Sequence, residues 1–155
     1  MQQIQIDSNI KLIPYYRNDE VSLAWYQDLD ICKQVDNIDY PYDIEKLHKM
    51  YEYLTSKGDC YYIEYKRKLV GDISLQDSGE IAIVICKEYQ NKHIGRKCVS
   101  KMLEIAKEKG MKSIKANIYS FNQQSQKMFL SIGFSKIEAE LYIKKFEVNK
   151  CQKKS

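Results

Sequence analysis

The chain has 155 residues, of which 44% are hydrophobic, and a formal net charge of +4. This length suits one hydrophobic core, and no linker or repeat divides the chain, so we predict one domain over residues 1–148 and a basic tail at 149–155. The N-terminus lacks signal-peptide character, and no apolar run approaches the roughly 20 residues of a membrane span. Five scattered cysteines and two histidines argue against a zinc site. We expect a cytoplasmic protein with reduced thiols, no metal and no membrane partner.

The sequence pattern of the first part of the chain predicts one strand and two helices. Residues 4–14 have strand character and are interrupted by a polar turn. A helix follows Asn18, with Leu29 on its inward face. A second helix is capped by Asp43 and ends near Gly58.

The rest of the chain alternates between strands and helices. One helix begins at Ile94 and another is capped by Asn122, which brings the total to about four. Strands are predicted at residues 60–65, 68–75, 81–86, 113–119, 134–138 and 141–148. The pattern predicts an α+β fold with a mixed, mostly antiparallel central sheet.

Residues 90–96, Gln-Asn-Lys-His-Ile-Gly-Arg, lie between a buried strand and an amphipathic helix. The first amides of a helix lack intrahelical partners and the helix dipole is positive there, so this loop attracts anions. Gly95 lets the backbone approach a ligand closely. The glycines of a P-loop or a dinucleotide fingerprint are absent. We therefore predict a loop that holds a diphosphate by its backbone.

This loop resembles the Gln/Arg-x-x-Gly-x-Gly/Ala signature of the GNAT superfamily of acyl-CoA N-acyltransferases. Gln90 and Gly95 match the signature, whereas His93 replaces its first glycine. For the side chain of His93, contact with the diphosphate and simple exposure to solvent are both open, and we favour exposure. Lys92, Arg96 and Lys97 either contact phosphate or form a solvated helix face.

A second stretch, residues 119–134, resembles the other GNAT signature, Asn-x-x-Ser/Ala-x-x-x-Tyr/Phe-x-x-x-Gly-Phe. The residues that match it are Asn122, Ser125, Phe129, Gly133 and Phe134. Two signatures at the usual separation are more specific than one, and the resemblance covers roughly residues 69–146.

The resemblance implies a single-domain GNAT-like fold and acetyl-CoA as the acyl donor. Strand 81–86 would splay from strand 113–119, and the pantetheine arm would lie between them as an added strand. A backbone N–H near Val84 or Ile85 would polarise the thioester carbonyl. The implied donor-binding residues are Ile83, Val84, Ile85, Gln90, Asn91, Lys92, His93, Ile94, Gly95, Arg96, Lys97, Asn122, Ser125 and Phe129.

Acetyl transfer to an amine requires a group that takes the proton of the amine. Glu80 opens the strand that leads to the loop, where some GNAT-like enzymes carry a catalytic glutamate, and it is our first candidate. Asp72 and Asp39 are alternatives, and Glu80 can equally be a solvated turn residue.

The departing thiolate benefits from a proton donor. Many GNAT-like enzymes use a tyrosine seven residues after the asparagine, but Phe129 stands there and cannot donate. Tyr119 is our candidate acid; Tyr142, a water molecule and an unassisted thiolate are the alternatives. Cys86 lies near the expected thioester, but nothing marks a base beside it. We therefore expect direct transfer in a ternary complex rather than through an acyl-cysteine.

Residues 28–43 contain five aspartates and one lysine, a net charge of −4, with aromatic residues among them. Acidic and aromatic groups together suit a cationic amine, such as a small cationic molecule or a protein N-terminus. The alternative is a solubilising loop with helix caps and core aromatics. The predicted acceptor contacts are Trp25, Tyr26, Asp36, Asp39 and Tyr40.

We predict an acetyl-CoA-dependent N-acetyltransferase that acts on a primary amine as a monomer or homodimer. A non-catalytic acyl-CoA-binding module is the alternative, because His93 and Phe129 depart from the family pattern. The basic residues in 144–154 suggest nucleic-acid binding, but no recognised motif accompanies them, so we expect no nucleic-acid partner.

Overall fold

The computed structural model describes residues 1–147, so the predicted tail at 149–155 lies outside the described residues. A short 3₁₀ turn, Lys87–Tyr89, follows the fifth strand. The other elements, in chain order, are β1 (Ile4–Gln5), β2 (Ile10–Pro14), α1 (Asp19–Trp25), α2 (Leu29–Asp36), α3 (Ile44–Lys57), β3 (Gly58–Tyr65), β4 (Lys68–Gln76), β5 (Ile81–Ile85), α4 (Ile94–Glu108), β6 (Ser113–Asn117), α5 (Gln123–Ser131), β7 (Ser135–Glu138) and β8 (Leu141–Lys145).

The strands form two antiparallel sheets that meet at one point. The strands of the larger sheet follow chain order from β1 to β5, and those of the smaller sheet have the order β6-β8-β7. Strands β5 and β6 run parallel and share one bridge, at Glu80 and Lys115, where the Lys115 N–H donates to the Gly79 carbonyl at 2.9 Å. Beyond this bridge they separate. The predicted mixed, mostly antiparallel sheet with splayed strands is confirmed.

Two hydrophobic cores lie on opposite faces of the larger sheet. Side chains alternate along β5, so Ile81 belongs to the first core and Val84 to the second. The first core packs against α4, whose buried residues recur at helical spacing. The second core lies beneath α1, α2 and α3 and is rich in tyrosine. The two layers of helices leave the gap between β5 and β6 accessible.

The number of helices differs from the expected four, because one predicted helix is two. Helix α1 ends at Trp25, and α2 begins at Leu29. Asp28 lies between them and caps α2, since its Oδ1 accepts from the Asp30 N–H at 2.9 Å and from the Ile31 N–H at 3.4 Å. Leu29 is 52% exposed, so its predicted inward position is wrong.

Asp72 is a buried carboxylate in the second core. It lies on β4, is 4% exposed, and its Oδ2 accepts from the hydroxyl of Tyr26 at 2.6 Å and that of Tyr51 at 2.7 Å. Burial raises the pKa of Asp72 to about 6, although both tyrosine hydroxyls act in the opposite direction. A charge at this position therefore lowers the stability of the fold.

The stability of the protein should depend on the charge of Asp72. The folded protein holds this proton more tightly than the unfolded chain, so the free energy of unfolding falls as pH rises from about 4 to about 6. The raised pKa, about two units above the ordinary value, corresponds to about 3 kcal/mol. We expect Asp72→Asn to remove most of this change. Urea unfolding of both proteins at pH 4.5 and 7.5 tests this, and equal pH dependence in the two would contradict it.

Candidate active site

A cavity of about 440 Å³ occupies the gap between β5 and β6. Helix α2 contributes Gln34 and Val35, α4 contributes Gly95, and α5 contributes Ser125 and Phe129. The cavity therefore brings together residues from both predicted signatures. No aspartate or glutamate within residues 1–147 lines it, whereas Arg96 and Lys127 do.

One end of the cavity is formed by residues 90–96, which we call the cradle loop. The N–H groups of the six residues 91–96 have no hydrogen-bond acceptor within the described chain. Asn91 and His93 have φ angles of 62° and 64° and alternate with a residue of negative φ. Alternation of this kind turns successive N–H groups to one side and creates an anion-binding concavity. The cradle loop is thus a site for a phosphate group, at the start of a 15-residue helix.

The backbone at His93 explains why the family signature has glycine at this position. Its φ of 64° lies in the left-handed region, which glycine adopts without strain. The His93 side chain makes no capping hydrogen bond to α4. His93 is exposed and also lines the cavity.

The basic side chains near the cradle loop differ in their positions. Arg96 lines the cavity, whereas Lys92 and Lys97 are absent from its walls. Lys97 forms an ion pair with Asp7 at 2.9 Å, and this hydrogen bond raises the pKa of Lys97. The side chains of Lys92 and Lys97, two of the predicted donor contacts, therefore do not line the cavity.

Gln90 connects the cradle loop to β5, because its Nε2 donates to the Ile85 carbonyl at 2.8 Å.

The register of β4 and β5 decides which N–H groups of β5 face the gap. The Cys86 N–H donates to the Val70 carbonyl at 2.8 Å, and hydrogen bonding alternates along an antiparallel pair. The N–H of Val84, opposite Asp72, therefore points toward β4. The N–H groups of Ile83 and Ile85 point into the gap. Of the two predicted carbonyl-polarising donors, this geometry favours Ile85 over Val84, and it adds Ile83.

Glu80 lies at the point where the two strands begin to separate. Its Oε1 accepts from Nδ2 of Asn117 at 3.0 Å, and its Oε2 accepts from Nε2 of Gln76 at 3.2 Å. Gln76 belongs to the larger sheet and Asn117 to the smaller one, so Glu80 accepts from one side-chain amide of each sheet. Asn117 lines the cavity and Glu80 does not, so the carboxylate stands directly behind the wall that Asn117 forms.

The candidate proton donors lie away from the cavity. Tyr119 stacks on Phe121 with ring centroids 5.5 Å apart, and Tyr142 is buried in the first core; neither lines the cavity. Phe129 does line it and packs edge-on against Phe134 at 5.0 Å. Tyr89, which the sequence analysis did not single out, lines the cavity near the cradle loop.

Four of the five aspartates in residues 28–43 have structural partners. Asp28 and Asp43 cap helices. Asp30 pairs with Lys87 at 2.6 Å, and Asp36 pairs with Lys46 at 3.2 Å. Asp36 also accepts from the Tyr42 hydroxyl at 2.8 Å. These contacts support the alternative interpretation, a loop of caps and ion pairs, over an acidic surface for a cation.

The other residues predicted to contact the acceptor separate into two groups. Trp25 and Tyr26 are 7% and 1% exposed, belong to the second core and do not line the cavity, so the structure does not bring them to an acceptor surface. Asp39 and Tyr40 are exposed, and neither lines the cavity.

Asn117 was not among the predicted site residues. Only the pairing of the strands reveals that its side chain approaches Glu80.

Within residues 1–147, none of the helices is both long and apolar enough to cross a membrane. No group of three or more His, Cys, Asp or Glu side chains in this part of the chain is arranged to hold a metal ion.

Replacing His93 by glycine should not destabilise the fold. The left-handed conformation costs a residue other than glycine about 1–2 kcal/mol in the folded state, and glycine removes this cost. Glycine also increases the conformational entropy of the unfolded chain, which lowers stability by a smaller amount. We expect His93→Gly to raise the free energy of unfolding by up to about 1 kcal/mol. Lys92→Gly, at a neighbour without positive φ, should lower it by about 0.5–1 kcal/mol. Urea unfolding of both variants tests this, and equal losses would show that the angle at His93 carries no strain.

The chain is similar to a large family and to several solved structures. It matches the Acetyltransferase (GNAT) family over residues 22–134. A domain from Methanocaldococcus jannaschii is 27% identical, with a TM-score of 0.75 over 90% of this chain and 100% of the other. A Salmonella typhimurium acetyl transferase that modifies the N-terminal serine of ribosomal protein L7/L12 is 10% identical, with a TM-score of 0.75 over 94% and 100%. No curated protein matches the sequence.

A further solved structure holds coenzyme A. Spermidine N-acetyltransferase from Vibrio cholerae, in complex with CoA and spermine, is 16% identical, with a TM-score of 0.70 over 85% of this chain and 84% of the other. The family match covers more than half of the 155 residues and includes the splayed strands, the cradle loop and the cap of α5. Solved structures of this fold hold acetyl-CoA or coenzyme A, and the protein belongs to the GNAT family of acetyltransferases.

Proposed function

We propose that this protein transfers the acetyl group of acetyl-CoA directly to a primary amine in a ternary complex. The observation that carries the proposal is the row of unpartnered N–H groups at residues 91–96, at one end of a cavity between splayed strands. A diphosphate accepts hydrogen bonds from such a row. Beyond it, β5 presents an unpaired strand edge to the cavity, which suits the pantetheine arm.

The chain offers several groups that would hold the arm of the donor. The N–H and C=O groups of Ile83 face the gap, as does the N–H of Ile85. Ser125 and Phe129 line the opposite wall on α5. Asn122 also lines the cavity, but its Oδ1 accepts from the Ser125 N–H at 3.2 Å, so it acts first as a helix cap. A thioester carbonyl beside Ile83 or Ile85 would accept from the backbone and become more electrophilic.

Glu80 is the group that we assign as the base. It precedes Ile83 by three residues, about 10 Å along the strand, a distance that bridging water molecules can span. Through this water the carboxylate takes one proton from the ammonium form of the acceptor, and the neutral nitrogen attacks the carbonyl carbon. The C–S bond then breaks. The nitrogen loses its second proton, the CoA thiolate gains a proton, and Glu80 returns its proton to solvent.

The acid predicted for the thiolate is not at hand, since Phe129 stands at the usual tyrosine position and Tyr119 lies outside the cavity walls. Tyr89, beside the cradle loop, is the tyrosine that lines the cavity within residues 1–147. We propose that the thiolate leaves without help from Tyr119. Cys86 does not line the cavity, and burial raises the pKa of its thiol, so it is a poor nucleophile at neutral pH. Both observations support direct transfer over a covalent intermediate.

The acceptor is best described as a molecule with one primary amine on an uncharged arm. The cavity walls on the side of α2 include Val35 and Ala82, and no carboxylate within residues 1–147 lines the cavity. A polycation would lack charge partners there. A protein N-terminus or a small amine fits this surface better than spermine, which accompanies the Vibrio cholerae structure.

A non-catalytic acyl-CoA-binding module is the second candidate, and Phe129 is the observation that favours it. The two candidates differ in one measurable respect. An enzyme releases free thiol from acetyl-CoA when an acceptor is added, whereas a binding module retains the acetylated donor unchanged.

The size of residue 95 should control donor binding. A Cβ at Gly95 would lie 3.6 Å from Cδ1 of Ile83 and 3.9 Å from Cε of Met128, which are ordinary contacts. Gly95→Ala should therefore keep the Kd for acetyl-CoA within about threefold, as the Gly/Ala in the signature implies. The branched side chain of Gly95→Val would enter the cavity, and we expect a loss of at least about tenfold, or 1.4 kcal/mol. Calorimetry with acetyl-CoA tests both variants, and equal affinities would exclude this wall from the donor site.

Removing the charge of Glu80 should slow transfer without affecting donor binding. We expect Glu80→Gln to lower kcat by about 10²–10⁴-fold, the usual contribution of a base, with an unchanged Kd for acetyl-CoA. Free-thiol release from acetyl-CoA, measured over a panel of small amines and short peptides, provides the rate. Glu88→Gln, at an exposed position near the cradle loop, is the matched control. A pH–rate profile shared by Glu80→Gln and the natural protein would remove Glu80 from the mechanism.

A further inference from the structure

Asn117 is the side chain that connects the candidate base to the cavity. It is the last residue of β6, on the sheet opposite Glu80, and its Nδ2 donates to Oε1 of Glu80 at 3.0 Å. It also lines the cavity and is exposed to solvent. Gln76, the other amide on Glu80, is absent from the cavity walls. Within the described chain, Asn117 alone combines a hydrogen bond to the Glu80 side chain with a place in the cavity wall.

The hydrogen bond to Glu80 determines how the amide of Asn117 is oriented. A carboxylate only accepts hydrogen bonds, so the NH₂ group of Asn117 must face it. The carbonyl oxygen, Oδ1, then remains for another donor. The hydrogen bond that Asn117 makes with its side chain within residues 1–147 is the one from Nδ2, and Oδ1 accepts none there. An oxygen acceptor at the wall of a cavity that holds no carboxylate is suited to the N–H of an amine.

We propose that Asn117 binds the acceptor amine through Oδ1 while Nδ2 holds the carboxylate of Glu80 oriented toward the reacting nitrogen. This inference rests on the proposed function, because it gives an additional residue to the same transfer. The same amide therefore places the amine within reach of the base and fixes the position of the base.

Gln76 allows the two roles of Asn117 to be separated. Its Nε2 donates to Oε2 of Glu80 at 3.2 Å, so it holds the carboxylate but does not line the cavity. Loss of Gln76 should alter the position of Glu80 alone. Loss of Asn117 should alter both the position of Glu80 and the affinity for the amine.

The experiment compares Asn117→Ala, Asn117→Asp and Gln76→Ala in the full-length protein. The readouts are the KM for the amine, the pH dependence of kcat at saturating amine, and the Kd for acetyl-CoA. We expect Asn117→Ala to raise the KM for the amine about tenfold or more, as for a lost hydrogen bond to a charged group. Gln76→Ala should leave this KM unchanged and lower kcat, because it removes a hydrogen bond that holds the carboxylate of Glu80 in place.

Asn117→Asp provides the sharpest result, because it keeps the shape of the side chain and places a second carboxylate beside Glu80. Like charges at this distance raise the pKa of the pair, so the acidic limb should move upward by about 1–3 units. Ser135→Asp adds the same charge on the exposed strand β7 and should leave the profile unchanged. The Kd for acetyl-CoA should stay within about twofold in every variant.

Each contrary outcome has a distinct meaning. The inference fails if Asn117→Ala changes neither the KM for the amine nor the pH profile while Glu80→Gln remains slow, and the assignment of Glu80 then stands. It also fails if Asn117→Ala weakens acetyl-CoA binding and leaves the amine unaffected, because Asn117 is then a donor contact. A Glu80→Gln enzyme with a natural rate refutes the assignment of the base itself, whatever Asn117 does.

Discussion

The architecture depends on a single backbone connection between two sheets. The Lys115 N–H donates to the Gly79 carbonyl, and beyond this bridge β5 and β6 separate. If the ladder continued, the N–H groups of Ile83 and Ile85 would be used within the protein. Because it stops, a strand edge remains unpaired along the cavity, where its N–H and C=O groups are available to a partner. The family's donor carries an amide-containing arm that can provide one.

Near that edge, most acidic side chains of residues 28–43 are already paired, and the charged side chains that line the cavity are basic. The acidic residues of the segment 28–43 are mostly occupied in caps and ion pairs, and the cavity walls carry Arg96 and Lys127 instead. A polyanionic donor therefore meets a surface without competing carboxylates. Glu80, the proposed base, is separated from the cavity by the amide of Asn117. Its charge would be available to the acceptor without repelling the donor.

The site could be predicted from the sequence where its chemistry is local. The cradle loop and the cap at Asn122 are set by the spacing of a few adjacent residues. The break at Asp28 was missed because apolar residues keep helical spacing through it, and only the capping hydrogen bonds reveal a new helix. Composition cannot distinguish an aspartate that caps a helix from one that faces a ligand. Asn117 and Glu80 are 37 residues apart, and only the pairing of the sheets joins them.

A ligand that binds the unpaired edge of β5 would also make the lifetime of the protein depend on the supply of that ligand in the cell. A molecule that pairs with β5 binds the folded state and not the unfolded chain, so it shifts the folding equilibrium by mass action. At a concentration one hundred times its Kd, such a ligand adds about 2.7 kcal/mol to the free energy of unfolding. When the supply of thioester declines, the population of opened chains rises, and proteases remove them faster. The abundance of this enzyme would then follow the level of its own donor.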